Sequence, residues 1–270
     1  MKTRITSNIE LKIGASLALL IIVLLFVSLF WVPFDYNEMD TEKRFLPPSA
    51  VHILGTDNFG RDIFSRIMTG TKYTLVLAFL TVITAAITGT VLGLVAGYMG
   101  GLAGEIIMRI IDAISSFPGI LFALVMVAIF DNSQFTLYIS LSILFTPSFT
   151  RVIRSGALQY KDSGFALAEK ILGASPKRII FLHILPNLTP SLLSASVLGI
   201  SNAILAESAM SYLGLGIQPP VPSWGRMLSE SQAFFSTAPW CVLAPGIFIM
   251  MTVIAFHCLG EGLRRGFEGS

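Results

Sequence analysis

Residues 75–98, LVLAFLTVITAAITGTVLGLVAGY, decide the fold class of this chain. The stretch carries no charged side chain, and it is as long as the roughly 20 residues that a helix needs to cross a membrane. Its apolar residues do not alternate as they would in a strand, and a helix satisfies all of its backbone groups in lipid. The stretch therefore predicts a membrane-spanning helix.

Similar apolar runs recur along the whole chain. They lie at about residues 13–32, 75–98, 106–130, 135–149, 188–206 and 240–259. The fourth is short and ends near Pro147, and the fifth is diluted by serines. Apolar residues make up 54% of the sequence, and charged residues 13% against about 25% in soluble domains. The sequence predicts an all-α integral membrane protein with six transmembrane helices.

The first apolar run predicts a retained anchor rather than a cleaved signal peptide. Its core of roughly 20 residues exceeds the usual signal-peptide core, and bulky residues follow it at Trp31–Phe34. We therefore predict an anchor helix with an outer segment over residues 1–70. A core domain over residues 71–270 follows, with its longest inner loop at about 151–188.

Basic residues predict that both termini are cytoplasmic, because positively charged loops stay inside. With that orientation the inner side carries Lys2, Arg4, Lys12, Arg109, Arg151, Arg154, Lys161, Lys170, Lys177, Arg178, Arg264 and Arg265, and the outer side carries only Lys43, Arg44, Arg61, Arg66, Lys72 and Arg226.

The sequence lacks the usual signs of catalysis. It contains neither a GxxxxGK[ST] phosphate-binding loop nor an HExxH or GxSxG motif. His52, His183 and His257 are scattered, without the spacing of metal ligands. We expect no catalytic residue, metal site, bound cofactor or nucleic-acid partner. If ATP drives this protein, another subunit must bind the ATP and its Mg²⁺.

Few polar residues fall within the apolar runs. Asp112 is one turn from Arg109, which predicts an ion pair. Glu207 ends the fifth run, as either a functional intramembrane acid or a solvated or capping group. The serine-rich face of that run, with Ser194, Ser201 and Asn202, is the candidate pore-facing surface.

Glycines recur at every fourth position of the second run: Gly89, Gly93, Gly97 and Gly101. They would share one helix face, where another backbone can approach closely. The neighbour would be a helix of this chain or a second membrane subunit.

The stretch FALAEKILGASPKRIIFLHILP at 165–186 is helical in pattern and basic. Gly173 interrupts it, and Ser175-Pro176 is typical of the start of a second helix. The pattern predicts either a compact pair of short helices that contacts a partner or an amphipathic helix on the membrane surface.

This stretch resembles the cytoplasmic loop of binding-protein-dependent ABC importer permeases, which reads Glu-Ala-Ala, three residues, Gly, nine residues, Ile-x-Leu-Pro. Gly173 and Leu185-Pro186 match the pattern. Leu167 replaces its Glu, Glu169 its second Ala, and His183 its Ile.

Five more stretches are similar to the second, or C-type, permease of the dipeptide, oligopeptide and nickel group. They are LGTDNFGRDIFSR at 54–66, MRIIDAISSFP at 108–118, ESAMSYLGLGIQPPVPSWGRML at 207–228, PG at 245–246 and LGEGLRR at 259–265. The resemblance covers nearly the whole chain and implies the type I ABC importer permease fold in a bacterial or archaeal cytoplasmic membrane.

The resemblance also implies partners and contact residues. A second permease subunit would complete the translocation path, two ATPase subunits would hold ATP and Mg²⁺, and an outer binding protein would deliver substrate. The coupling loop would contact an ATPase through Leu167, Ala168, Glu169, Gly173, Ala174, Lys177 and Pro186. Near the binding protein would lie Gly214, Gly216, Pro219, Pro220 and Trp224, unless they only fill the space between helix ends.

Three functions remain open from the sequence. The first is import of short peptides, and the second is import of nickel or a metal chelate by the same machinery. The third is a membrane scaffold that transports nothing, which would have no partner ATPase. The ligand of the associated binding protein would separate the first two.

Overall fold

The computed structural model describes residues 9–268 of the chain, and within that range the regular structure is helical. The basic residues Lys2 and Arg4, used above for orientation, lie outside the described range. In order, the helices are α1 (Ile9–Phe30), α2 (Ile63–Leu94), α3 (Gly101–Ser116), α4 (Gly119–Ile129), α5 (Gln134–Lys161), α6 (Gly164–Ile171), α7 (Pro176–Ile179), α8 (Leu185–Tyr212), α9 (Trp224–Ser231) and α10 (Trp240–Glu268).

Five helical stretches of the described chain are long and apolar enough to cross a membrane: Ile9–Phe30, Ile63–Met99, Gln134–Lys161, Pro176–Tyr212 and Trp240–Phe267. The pair α3 and α4 meets the same criteria only when taken together, and it is bent by 93°. The prediction of six apolar spans is confirmed in this form, with the third span broken rather than straight. Pro118 explains the break, because it disfavours helical geometry at Phe117, whose ψ is 131°.

Several helices extend beyond the predicted runs, and for α2 and α5 the extension moves a predicted boundary. α2 starts at Ile63, where the Asp62 side chain accepts a hydrogen bond from the Ser65 amide, so the division predicted at residues 70 and 71 falls inside a continuous helix. α5 continues through Pro147 to Lys161, since proline is tolerated within membrane helices. The coupling loop is therefore shorter than the predicted 151–188 and begins at about residue 162.

Glycines allow α2 and α5 to pack closely. A Cβ placed on Gly93 would lie 2.8 Å from the Ile153 Cβ and 2.8 Å from the Thr150 carbonyl oxygen. Gly89 and Gly97 are equally close to Phe149 and Ala157. The glycine face thus serves a contact within this chain, one of the two alternatives. Gly101 does not belong to it, because it follows the turn at Gly100 and has open space around it.

The two ends of the described chain run side by side. A Cβ on Gly14 of α1 would lie 2.6 Å from the Leu259 amide nitrogen of α10. Nearer the chain ends, Arg265 Nη1 is 3.0 Å from Glu10 Oε2. The main apolar core lies among α2, α5, α8, α9 and α10. We call the end of the bundle that carries α6 and α7 the loop end, and both described chain ends lie there, because Phe267 lines a cavity together with Tyr160 and Asn187.

The α2–α5 contact leads to a stability prediction. Gly93→Ala should lower stability by about 1–3 kcal/mol, because the added methyl overpacks a tight contact. The same change at Gly246 should be neutral or stabilise by up to about 1 kcal/mol, since the nearest atom to a Cβ there is Leu228 Cδ2 at 3.8 Å. Thermal unfolding of the detergent-solubilised protein measures both. Equal unfolding temperatures for the two variants would contradict the close contact.

Candidate functional sites at the two ends of the bundle

The coupling loop is a compact pair of short helices joined by a glycine turn. α6 ends in a Schellman motif, in which the Ala174 amide donates to the Glu169 carbonyl at 3.0 Å and the Gly173 amide to the Lys170 carbonyl at 3.1 Å. Gly173 has φ +81°, a conformation that glycine adopts without strain. Ser175 then caps α7 by accepting a hydrogen bond from the Arg178 amide. The compact form is thus the one adopted.

Apolar contacts fix the loop to the bundle. Ala166, Ile179 and Ile184 are buried in a cluster with Ile153 and Ala157 of α5. The other apolar positions of this segment, Phe165, Leu167, Ala168, Ile171 and Leu172, are exposed, and Ala166 is the buried residue of α6. The loop is therefore attached to the bundle through Ala166, Ile179 and Ile184, on the side opposite its exposed apolar residues.

The outward surface of the loop is apolar and basic. Ile171 and Leu172 are 86% and 81% exposed, and Leu167 is 44% exposed. Of the other predicted contact residues, Ala168, Gly173, Lys177 and Pro186 are exposed and Ala174 is half-buried. Two large apolar side chains in such open positions are a surface that a partner would cover.

Glu169 faces the interior of the loop. Its carboxylate oxygens lie 3.7 Å from Arg178 Nε and 3.5 Å from His183 Nε2, and its side chain is 24% exposed. The residue therefore connects α6 with the segment after α7, where the sequence suggested a contact that orients the ATPase. Lys170 and Lys177, which are exposed, carry the outward charge.

At the opposite end of the bundle, the predicted binding-protein contacts separate into two groups. Pro219 and Pro220 are exposed, and Gly214 is half-buried with φ +80°. Gly216 is buried against Ser211, and Trp224 is 0% exposed with its Nε1 donating to the Ile67 carbonyl at 3.1 Å. Trp224 and Gly216 are therefore core residues, which corrects their assignment to an outer contact surface.

A buried ion network joins residues 57–66 to α9, and the sequence did not predict it. Arg61 Nε donates to Asp57 Oδ2 at 2.7 Å, and Arg61 and Arg66 both reach Glu230 Oε2, at 3.3 and 3.2 Å. Arg226 Nε lies 3.1 Å from the second Glu230 oxygen. The mixed charges of LGTDNFGRDIFSR were a signal for pairing, but their partner in α9 is more than 160 residues away.

Asp40 closes the segment between α1 and α2 near this network. Its amide donates to the Phe59 carbonyl at 3.1 Å, and its Oδ1 accepts from the Glu42 amide at 3.0 Å. The Lys43 ammonium, 2.7 Å from Asp40 Oδ2, lowers the pKa of this exposed carboxyl below its ordinary value. The carboxylate form is therefore favoured, and it holds the turn.

Glu207 is wholly buried, which rules out the solvated group that the sequence left open. Ser211 Oγ donates to Glu207 Oε1 at 2.6 Å and accepts from the Ile217 amide at 3.2 Å. This chain of hydrogen bonds ties the end of α8 to the glycine-rich turn that follows. A function for Glu207 as an intramembrane acid stays a prediction.

The candidate pore-facing residues lie on two faces of α8. Ser194 and Ser201 are buried, and their hydroxyls donate to the carbonyls of Pro190 and Leu198 in the same helix. Asn202 is exposed. Asn202 therefore remains available to line a path, whereas the two serine hydroxyls are engaged by their own helix.

Asp112 pairs with Arg151 of α5 rather than with Arg109. Arg151 Nη2 donates to Asp112 Oδ1 at 2.9 Å and to Ser115 Oγ at 2.9 Å. The spacing of Arg109 and Asp112 on one helix suggested the local pair, but α5 brings a longer-range partner to the same carboxylate.

The arrangement of spans, broken helix and loop defines a membrane permease of the type I ABC importer class. An inward-facing structure of the MetNI methionine ABC transporter has the same fold, with a TM-score of 0.61, 16% identity, and coverage of 73% of this chain and 94% of that one. The family model described as "binding-protein-dependent transport system inner membrane component" matches residues 89–268. The chain belongs to this family and is a multi-pass permease subunit of an ABC importer.

Curated relatives are similar to this chain over most of its length. The dipeptide transport system permease protein DppC of Alkalihalophilus pseudofirmus is 42% identical, over 87% of this chain and 77% of that protein. DppC of Escherichia coli K12 is 41% identical, over 92% and 86%. The glutathione transport system permease protein GsiD of Pectobacterium atrosepticum is 39% identical, over 93% and 83%.

The ion network leads to a second stability prediction. Glu230→Gln should lower stability by about 2 kcal/mol, because Arg66, which is 4% exposed, loses a charged partner. The matched change Glu105→Gln, on an exposed position of α3, should leave stability unchanged. Thermal unfolding in detergent, followed by tryptophan fluorescence, compares the two. If the ion network did not stabilise the fold, the two variants would have the same unfolding temperature.

Proposed function

We propose that this chain pairs with a second, different permease subunit to form the translocation path for short peptides. Two ATPase subunits, which bind ATP and Mg²⁺, drive the cycle from the cytoplasm, and an outer binding protein delivers the peptide. The names of the relatives support this substrate class, since they are described as transporting dipeptides and glutathione. Glutathione is itself a short peptide.

The exposed apolar surface of the coupling loop is the observation that carries this proposal. Ile171 and Leu172 stand on a helix that is capped by a Schellman motif and anchored to α5 through Ala166. A rigid apolar tip flanked by lysines suits docking into an apolar groove with an acidic rim on an ATPase. Movement of that groove would be transmitted to the bundle, because the loop has little freedom of its own.

The orientation is part of the proposal. Both described chain ends lie at the loop end of the bundle, since Arg264 and Phe267 share a cavity with Tyr160 and Asn187 and Arg265 pairs with Glu10, so a cytoplasmic loop requires both chain ends to be inside as well. The excess of basic residues on that side supports the same orientation. The exposed Pro219 and Pro220 would then face the binding protein, with the buried ion network on the same side of the membrane.

Import of nickel or a metal chelate is the alternative with the same machinery. Within residues 9–268 no group of three His, Cys, Asp or Glu side chains is arranged to hold a metal ion. A chelated metal would need no such group, so the ligand of the binding protein decides. A scaffold that transports nothing would have no partner ATPase to cover the exposed tip of the loop.

The direct test is reconstitution of the complete complex in proteoliposomes. The chain is co-purified with its second permease, its ATPases and its binding protein, and uptake of a radiolabelled dipeptide is compared with uptake of Ni²⁺. ATP-dependent dipeptide uptake that requires the binding protein is expected. Uptake of Ni²⁺ alone would establish the alternative, and failure to co-purify with any ATPase would favour the scaffold.

A matched pair of glycine variants tests the coupling loop. Gly173→Val should lower peptide uptake at least tenfold while membrane insertion is retained, since valine disfavours φ +81° and would reshape the docking tip. Gly164→Val is the control, because a Cβ there also meets open space but the backbone is unstrained. Stimulation of ATP hydrolysis by the binding protein should be lost only with Gly173→Val. Normal uptake by Gly173→Val would refute the docking role.

A further inference from the structure

An ion pair lies on an open face of two membrane-spanning elements. Arg151 of α5 donates to Asp112 of α3, and both side chains are largely accessible in this chain, at 48% and 64%. Ser115, one turn after Asp112, accepts a second hydrogen bond from the same guanidinium nitrogen. Because charges facing lipid are costly, such a pair belongs against water or against a polar partner.

A cavity of about 470 Å³ adjoins this pair, where the break between α3 and α4 opens a space beside α5 and α8. Its polar lining includes Ser115, Ser148 and Arg151, while Phe117, Phe145 and Met210 contribute apolar walls. The volume falls within the roughly 300–1,000 Å³ of small-molecule sites, which also combine apolar walls with a few polar groups.

The cavity also meets the face of α8 that carries Asn202. Ala206 and Ala209 line the cavity, and exposed Asn202 precedes Ala206 by one helical turn on the same face. The cavity therefore lies between the ion pair and the one candidate pore-facing residue that is exposed.

We propose that Asp112 and Arg151 form a transient peptide-binding site in the translocation path, where Asp112 binds the terminal ammonium and Arg151 the terminal carboxylate of the peptide. The inference rests on the proposed function and names the site that function uses. A zwitterionic peptide offers one charge of each sign, so each protein charge exchanges its present partner for one on the substrate. Each charge of the protein is therefore paired both before and after a peptide binds.

The exchange would make peptide binding weak and permissive. A dipeptide spans roughly 7 Å, so the two side chains, now 2.9 Å apart, must separate to hold its ends. Breaking their own pair offsets part of the gain from binding, which favours release. The apolar walls can accept varied peptide side chains without selecting among them.

Thiol labelling of the assembled complex tests whether peptide occupies this place. Cys241 and Cys258 are first replaced by alanine, and Ser115→Cys is then introduced. A charged, water-soluble methanethiosulfonate should label residue 115 at least tenfold faster than a matched Ser116→Cys. Ser116 is the control because it is the neighbouring serine of the same helix and, unlike Ser115, it does not line the cavity.

Excess dipeptide with binding protein and ATP should slow labelling at position 115 several-fold and leave position 116 unchanged. Slow labelling of Ser115→Cys would show that the pair faces lipid or the partner permease, and fast labelling without protection would show a water-filled space that binds no peptide. Either result would overturn the inference.

Charge variants separate substrate binding from a structural ion pair. Asp112→Asn and Arg151→Gln should each lower dipeptide uptake about tenfold or more, with peptide affinity of the binding protein unchanged. The swap of Asp112→Arg with Arg151→Asp should not restore uptake, because the peptide would have to bind in the reverse direction. Restoration by the swap would assign the pair a purely structural role. If the wild-type complex itself takes up no dipeptide, the proposed function fails rather than this site alone.

Discussion

The close contact between α2 and α5 is the interaction on which the rest of this structure depends. Lipid tails are as apolar as the helix surfaces, so membrane helices are joined by packing rather than by exclusion of water. Gly89, Gly93 and Gly97 bring the two backbones together without side chains between them. Because α2 begins in the ion network and α5 ends in the coupling loop, this single contact connects the two ends of the bundle.

Helix positions were predictable because lipid imposes a simple rule on composition, and a run of roughly 20 apolar residues has few other structures available. The ends of those helices were not predictable from the sequence. α5 continues past Pro147 because the missing backbone donor costs little there, and α3 ends at Phe117 because the following proline restricts it. Proline thus ends one helix and lies within another, and the difference depends on the surrounding helices and not on the local sequence.

The candidate sites divide in the same way. Gly173, Ser175 and the short helices around them follow from local capping rules, and the sequence predicted them. Charge pairing did not follow, because Asp112 and Arg66 meet partners from distant parts of the chain. Burial could not be predicted either. The local sequence does not distinguish Trp224, which is fully buried, from an aromatic residue on an outer surface.

The position of Arg151 on α5 links the coupling loop to the proposed peptide site. Arg151 lies ten residues before Lys161, the last residue of α5, which is roughly 15 Å along a continuous helix. The inner part of α5 packs between α2 and the buried side of the loop, so we expect a force on the loop to tilt this helix. Asp112, on α3, does not share that helix, and α3 ends at a break. A tilt of α5 would therefore pull Arg151 away from Asp112, which is the separation that a peptide needs in order to enter between them.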